Sequence, residues 1–357
     1  MILQNALILT ENFVFTPGEL VFSNIIGDSS SDGPIIDCAG AYVIPGLVDI
    51  HTHGVLGFEA NDKNVNFDVW QKFLLKNGVT TFIPTTVTDT KENILYALSK
   101  LKNAVAINME GPYLSTEKRG AHDPKKICEI DLEFLEQVKD HVKITTIAPE
   151  VDDNIKKIAA ICEMGIRVSL GHSAADYETS IKAFKEGATQ ITHTFNCCPP
   201  LGHRDPGLVG AALESENVFC EVISDGVHLH PSMIRLLYRI LGTDRMVLIS
   251  DAISATGLSD GEYTLGGLDV FVKNSEARLA DGRLAGSTVT LLEALRRAVD
   301  FGIPLADAIK MATLTPARAL GLEKHIGSLS RGKDADIVVL NKDLTPRHVF
   351  YKGKQIL

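Results

Sequence analysis

The hydrophobic residues in the central part of this chain fall into eight short, nearly continuous runs. Apolar runs of this kind, rich in valine and isoleucine, are typical of parallel strands that are buried on both faces of a sheet. We therefore predict eight buried parallel strands. They are residues 41–50, 79–84, 104–109, 143–148, 166–170, 189–192, 219–224 and 246–250.

Stretches with helical periodicity separate most of these runs, and several of them open at a capping residue or proline and close at glycine. A regular alternation of buried strands and helices is typical of α/β proteins, and eight such units predict a (β/α)8 TIM-type barrel. The helical stretches are 65–76, 91–101, 131–138, 154–163, 176–186 and 231–241, followed after the last strand by 290–300 and 305–313.

The two ends of the chain carry short β-type runs instead. Residues 28–34 have the composition of a loop, and the glycine-rich segment 260–287 alternates as a β-hairpin does. We predict a small β-sandwich domain built from both termini, residues 1–40 and 326–357, beside a barrel domain of residues 41–325.

Composition limits the classes of function. The 357 residues carry 35 basic and 45 acidic side chains, a net charge of −10, which disfavours nucleic acid and anionic membranes as partners because both need clustered cations. No apolar run reaches the roughly 18 residues of a membrane-spanning helix. No secretory signal pattern is recognisable, and the six cysteines form no C-x-x-C pair, so we expect reduced thiols and a cytoplasmic protein.

Six polar side chains directly follow predicted strands, at the mouth where barrel enzymes build their sites. Each alone is compatible with an ordinary structural role, but together they come from five strands. Imidazole nitrogens with carboxylate oxygens suit zinc, iron or manganese-type ions, so the pattern predicts a metal site. The six are His51, His53, Glu110, His172, His193 and Asp251.

Several short motifs around these residues, taken in their order, resemble a known family. They are NMEGPYL, KRGAHDP, LGHSAA, THTFN, HRDPGLVGAAL, SDGVHLHP, LISDAISATG and LAGST. The chain resembles the amidohydrolase superfamily and, within it, the N-acetylglucosamine-6-phosphate deacetylase family. The likeness extends over essentially the whole chain, including the ADIVVL segment near its end.

The resemblance implies one or two divalent ions, Zn²⁺ or Fe²⁺. One ion would be held by His51, His53 and Glu110, and the second by Glu110, His172 and His193. Glu110, together with a hydroxide, would then bridge the two ions. Many amidohydrolases bridge their metals with a carboxylated lysine after the fourth strand, but that strand ends here as TTIAPE, without lysine.

The resemblance also implies the reaction. A metal-bound hydroxide would attack the acetamide of N-acetyl-D-glucosamine 6-phosphate, with Asp251 as general base and then general acid, releasing D-glucosamine 6-phosphate and acetate in amino-sugar catabolism. Three alternatives stay open: N-acetylgalactosamine 6-phosphate as substrate, an N-acyl-amino acid as substrate, or a catalytically silent scaffold.

The substrate-binding residues follow from the same resemblance. His122 would contact the acetyl carbonyl or a sugar hydroxyl, and Asn196, Cys197 and His228 would lie near the sugar or its phosphate. Cys197 stands where the family pattern implies a smaller residue. Arg204 would reach the phosphate of a neighbouring subunit, which implies a homodimer, and the planar arginine fork suits bidentate binding of phosphate oxygens.

Overall fold

The protein is described from a computed structural model, which covers residues 1–28, 33–101 and 104–357. Most of the predicted loop at 28–34 falls on residues 29–32, which lie outside the described residues. The N-terminal strands in the described part of the chain form a sheet around β1, which pairs antiparallel with β2 and parallel with β3 and β4. They are β1 (Ile2–Leu9), β2 (Phe15–Val21), β3 (Ile35–Asp37) and β4 (Tyr42–Pro45).

The predicted first barrel strand, residues 41–50, was wrong in its bounds, because this run forms two strands in two different sheets. Its first half is β4, and its second half belongs to β5 (Leu47–Thr52) in the barrel. Pro45 has no N–H to extend the ladder of β4, and Gly46 passes so close to Thr80 that a Cβ there would lie 2.0 Å from the Thr80 Oγ1. The two-domain division, with its boundary after residue 40, stays a prediction.

The barrel sheet has its eight strands side by side in chain order, and all neighbouring pairs are parallel. The sheet closes where the last strand meets β5, since the Asp251 N–H donates to the His51 carbonyl at 2.9 Å. After β5 comes a short hairpin, β6 (Gly54–Val55) and β7 (Phe58–Glu59). The remaining barrel strands are β8 (Val79–Thr86), β9 (Ile107–Glu110), β10 (Val142–Ile147), β11 (Arg167–Leu170), β12 (Gln190–Ile191), β13 (Phe219–Ile223) and β14 (Met246–Ile249).

All of the described helices except the last pack their apolar faces against the outside of the barrel, in the largest hydrophobic core cluster. All the predicted helices are present, with ends shifted because caps such as Asn66 and Asp176 stand outside the first turn. No helix among the described residues is both long and apolar enough to cross a membrane. The helices are α1 (Phe67–Lys76), α2 (Lys91–Lys100), α3 (Leu132–Val138), α4 (Asn154–Glu163), α5 (Tyr177–Lys185), α6 (Gly207–Glu214), α7 (Pro231–Arg245), α8 (Leu291–Asp300), α9 (Leu305–Met311) and α10 (Leu314–Leu320).

Two helices, α6 and α10, were not predicted. The sequence of α6, GLVGAALE, is apolar and small on most sides, so it has no polar face to reveal a helical period. In α10, Ala317 and Leu320 pack on the isoleucines and valines inside the barrel. The Gln190 side-chain amide at the start of β12 donates to the Ala319 carbonyl, which places α10 at the end of the barrel where the strands begin.

The segment predicted as a hairpin is an antiparallel sheet of three strands, β15 (Gly261–Leu265), β16 (Leu268–Lys273) and β17 (Glu276–Leu279). We call residues 261–286 the roof sheet. Its apolar side chains form one core cluster with Val87 and Ala121 from the loops after β8 and β9. The roof sheet therefore stands over the same mouth of the barrel as the predicted metal site.

The chain ends in β18 (Ile337–Leu340), β19 (Pro346–Tyr351) and β20 (Lys354–Gln355). Strand β18 pairs antiparallel with β4, so strands from both termini join one seven-stranded sheet. The predicted fold class, a TIM-type barrel with a small β structure from the two termini, is confirmed.

Candidate metal centre and active site

The six predicted strand-end side chains meet at one mouth of the barrel, and all are buried. Three of them have a left-handed backbone, with φ of +48° at His172, +29° at His193 and +49° at Asp251. This region is unfavourable for residues other than glycine and costs about 1–3 kcal/mol at each position. Such strain is concentrated at functional sites, and here it occurs where each chain segment leaves its strand.

His51 and His53 each use one ring nitrogen to fix the ring. The Nδ1 of His51 donates to the Glu221 Oε2 at 2.9 Å, and the Nδ1 of His53 donates to the Thr85 carbonyl at 3.0 Å. Both Nε2 atoms therefore face the mouth, 3.2 Å from each other. The Glu110 carboxylate lies beside them, with its Oε2 3.2 Å from the Nε2 of His53.

His172 and His193 complete the cluster on the other side of the same carboxylate. The Nδ1 of His172 donates to the Lys118 carbonyl at 3.0 Å, which turns its Nε2 toward Glu110. The Nε2 atoms of both rings lie 3.1 Å from the Glu110 Oε1 and 3.0 Å from one another. We call these four histidines with Glu110 the ligand cluster.

The ligand cluster fits a metal ion. The rings of His51 and His53 both donate from Nδ1, so when they are neutral each carries only a lone pair at Nε2, and Nε2 atoms 3.2 Å apart repel each other unless a cation lies between them. Metal bonds of about 2.0–2.2 Å in a tetrahedral shell put neighbouring ligand atoms about 3.3–3.6 Å apart, close to the separations here. His51, His53 and Glu110 form one group of three such atoms within 4.8 Å of one another.

The electrostatics of the cluster also call for a cation. Burial lowers the pKa of His51, but the carboxylates of Glu110, Glu221 and Asp251 outweigh it and hold the pKa well above its usual value. Burial raises the pKa of Asp251, but His51 and His53 outweigh it and lower that pKa to about 2. Asp251 is therefore ionised at neutral pH, with its Oδ1 3.1 Å from the Nε2 of His53.

His122 lies against the cluster as a hydrogen-bond donor. Its Nδ1 accepts from the Thr88 backbone N–H at 3.1 Å, so the proton is on Nε2, which is 3.3 Å from the Glu110 Oε2. Burial, reinforced by His172, lowers the pKa of His122 to about 4, so the ring is neutral. Its position also allows it to join Glu110 and His172 as a group of three ligand atoms, but the Thr88 contact favours the donor tautomer.

A cavity of about 240 Å³ opens over the cluster and brings together most of the predicted substrate-binding residues. Asn196, Cys197 and His228 line it with His122 and Asp251. Both side-chain N–H contacts of Asn196 go to the main-chain oxygens of residues 193 and 194, so its amide orders the turn that carries His193.

Arg204 is exposed on the loop before α6 and does not line this cavity. Its predicted reach into a neighbouring site stays a prediction.

Three residues of the site were missed in the sequence: Glu221, Asp225 and Arg283. The Asp225 Oδ2 accepts from the His228 Nδ1 at 2.7 Å. Burial lowers the pKa of His228, but the contact with Asp225 outweighs burial, so the pKa is raised above its usual value. Asp225 stands inside SDGVHLHP and Arg283 directly before LAGST, so the motifs pointed to their segments. Glu221 lies inside a strand, and the sequence around it carries no signal.

Glu221 gives the first prediction. Replacing it with glutamine removes the charge that orients His51, and residues that hold a metal ligand in this way contribute about 10–100-fold to metal affinity. We expect Glu221→Gln to weaken zinc binding by about that factor, measured by competition with a chelator. Asp260→Asn is the control, because among the described residues the Asp260 carboxylate accepts from N–H groups of the roof sheet and contacts no residue of the ligand cluster. Unchanged affinity in Glu221→Gln would contradict the orienting role.

Comparison with known proteins agrees with this geometry. Residues 42–356 match the model of the amidohydrolase family. The chain belongs to this family. It is 36% identical over 330 residues to the N-acetylglucosamine-6-phosphate deacetylase of Vibrio furnissii. The aligned region covers 88% of this chain and 82% of the relative.

Two further relatives are similarly close. The N-acetylgalactosamine-6-phosphate deacetylase of Escherichia coli O157:H7 is 35% identical, over 87% of this chain and 86% of its own. The crystal structure of N-acetylglucosamine-6-phosphate deacetylase from Thermotoga maritima superposes with a TM-score of 0.93 at 34% identity, covering 100% of this chain and 99% of that one.

Proposed function

We propose that this protein is a metal-dependent hydrolase that converts N-acetyl-D-glucosamine 6-phosphate and water to D-glucosamine 6-phosphate and acetate. The observation that carries the proposal is the convergence of the four histidines on Glu110, next to an ionised Asp251 and at the floor of one cavity. Membership of the amidohydrolase family and the names of the relatives support the reaction class and the substrate.

His51, His53 and Glu110 would hold one divalent ion, and Glu110, His172 and His193 a second. When bound there, a divalent ion would lower the pKa of water to near 7 and would polarise the acetamide carbonyl. Zn²⁺ and Fe²⁺ both suit this ligand set.

Asp251 moves the proton in the proposed reaction. Its ionised carboxylate takes the proton of the attacking water and then gives it to the departing nitrogen, because an amide anion is too poor a leaving group. His122 donates from Nε2 to the acetyl oxygen, where negative charge develops. The Thr88 N–H donates to the Nδ1 of His122, which keeps the proton on Nε2.

The phosphate would be bound by cations near the cavity mouth. Asp225 favours the charged form of His228, which supports a phosphate contact there. We also propose that Arg204 contacts the phosphate bound by a partner subunit in a homodimer. All six cysteines are free thiols, which supports a reducing compartment, the cytoplasm, as the location.

Arg204 gives the second prediction. The Arg204 guanidinium would contact the phosphate and no other part of the substrate. Arg204→Ala should therefore lower kcat/KM for the phosphorylated sugar by about 10–100-fold and leave kcat/KM for N-acetylglucosamine nearly unchanged. Arg239→Ala serves as a surface control. Equal losses on both sugars, or a chain that sediments as a monomer at assay concentration, would remove Arg204 from the phosphate.

The proposed function is tested by acetate release combined with metal quantification. The panel contains N-acetylglucosamine 6-phosphate, its N-acetylgalactosamine epimer and an N-acyl-amino acid, each with protein loaded with Zn²⁺ or Fe²⁺. We expect the first to be the best substrate and one or two ions to be bound. The E. coli relative makes the galactosamine epimer the second candidate. A protein that binds metal and releases no acetate from any of them would be a silent scaffold.

A further inference from the structure

The roof sheet places an arginine at the cavity over the metal centre. Arg283, in the turn after β17, lines this cavity with its neighbour Leu284. Among the described residues that line the cavity, it is the one lysine or arginine. It lies outside every motif on which the family resemblance rests.

The guanidinium of Arg283 is held in one orientation. Its Nε and Nη2 donate to the Asp281 Oδ2 at 2.8 and 2.6 Å, and its Nη1 donates to the Gly120 carbonyl at 2.6 Å. An arginine has five N–H donors, and these three contacts leave two of them for a ligand. A preorganised guanidinium loses little conformational entropy when it binds an anion.

Gly120 places this contact beside the metal centre. A Cβ at Gly120 would lie 2.7 Å from the Cys197 Sγ and 3.0 Å from the Cε1 of His172, so the segment lies directly on both side chains. The Lys118 carbonyl in the same segment orients His172. Arg283 therefore contacts the wall of the cavity formed by a ligand of the cluster and by a predicted substrate-binding residue.

An anionic substrate needs such a cation. The proposed ions offset the carboxylates of Glu110 and Asp251 in the cavity, but the chain as a whole carries a net charge of −10, so a phosphate at the cavity mouth gains from a fixed cation there. We propose that Arg283 binds the phosphate of the substrate from within the same subunit and so determines specificity for phosphorylated sugars. The inference rests on the proposed function for its substrate.

Arg278 offers a matched control in the same sheet. Its Nε and Nη2 donate to the carboxylate two residues earlier, Glu276, and its Nη1 donates to the carbonyl of Gly282. Its pattern of contacts thus repeats that of Arg283, and its side chain is equally exposed, at 44% against 43%. Unlike Arg283, it does not line the cavity.

The test compares Arg283→Gln, Arg283→Lys and Arg278→Gln with the metal-loaded wild type. For Arg283→Gln we expect kcat/KM on N-acetylglucosamine 6-phosphate to fall about 10–100-fold, mainly through KM, and the value on N-acetylglucosamine to change less than about 2-fold. The kcat/KM of Arg283→Lys on N-acetylglucosamine 6-phosphate should lie between those of Arg283→Gln and the wild type, because lysine keeps the charge but lacks the two-pronged guanidinium. Arg278→Gln should change the ratio of kcat/KM for the two substrates much less than Arg283→Gln does, because Arg278 does not line the cavity and acts on His228 only through its charge.

A binding measurement separates failure of this inference from failure of the proposed function. Calorimetry with glucosamine 6-phosphate and glucosamine does not depend on turnover. If the wild type binds glucosamine 6-phosphate more tightly than glucosamine and Arg283→Gln loses this preference, the inference is supported even when no acetate is released. Equal losses on both sugars, an unchanged preference, or the same loss in Arg278→Gln would overturn it.

Discussion

Replacement of Asp251 by asparagine is expected to lower the turnover of N-acetylglucosamine 6-phosphate by about 10²–10⁴-fold, while the protein keeps its metal. The amide has nearly the same shape but cannot accept the proton of the attacking water or return it to the nitrogen. The measurement is kcat from acetate release, with the metal content of the same sample.

The control for this variant is Asp260→Asn in the roof sheet, whose carboxylate accepts only the N–H groups of Asn274 and Ser275. We expect its kcat to stay within about 2-fold of the wild type, because Asp260 is exposed and does not line the cavity, and such substitutions usually leave stability nearly unchanged. A metal-loaded Asp251→Asn protein with near-normal turnover would exclude Asp251 as the proton carrier.

Replacement of Glu110 by glutamine is expected to have the largest effect on metal binding. Its two oxygens lie 3.1–3.3 Å from the Nε2 atoms of His172, His193, His53 and His122, so the carboxylate holds the centre of the site. The amide lacks the charge and presents N–H donors toward imidazoles. We expect metal affinity to fall by at least about 100-fold, more than in Glu221→Gln, and turnover to be lost with it.

The loss of metal affinity is measured by metal quantification after dialysis and by the rise of Tm on adding Zn²⁺. The Tm rises because an ion that binds only the folded state stabilises that state. Glu59→Gln is the matched control, since Glu59 is equally buried but accepts from Thr264 and the Gly266 N–H in the roof sheet. Full metal content in Glu110→Gln would contradict the bridging position.

Much of this architecture could be predicted because the signals are local. A strand buried on both faces needs a continuous apolar run, and the eight runs were recognised even where the strand is as short as Gln190–Ile191. Parallel strands also place their carboxyl ends together, so His51, Glu110, His172 and Asp251 could be assigned to one mouth from their positions alone. The family motifs supplied the predicted roles, which geometry by itself does not assign.

By itself, the sequence determined the barrel, its mouth and the ligand types gathered there, because periodicity and strand ends are properties of neighbouring residues. Only the tertiary structure decided that residues 41–50 divide between two sheets at Gly46, and that Glu221 and Arg283 support the site. These features depend on contacts between segments far apart in the chain, such as Glu221 with His51 or Arg283 with Gly120. No local pattern encodes such contacts, since they exist only once the barrel has closed and the roof sheet has packed over it.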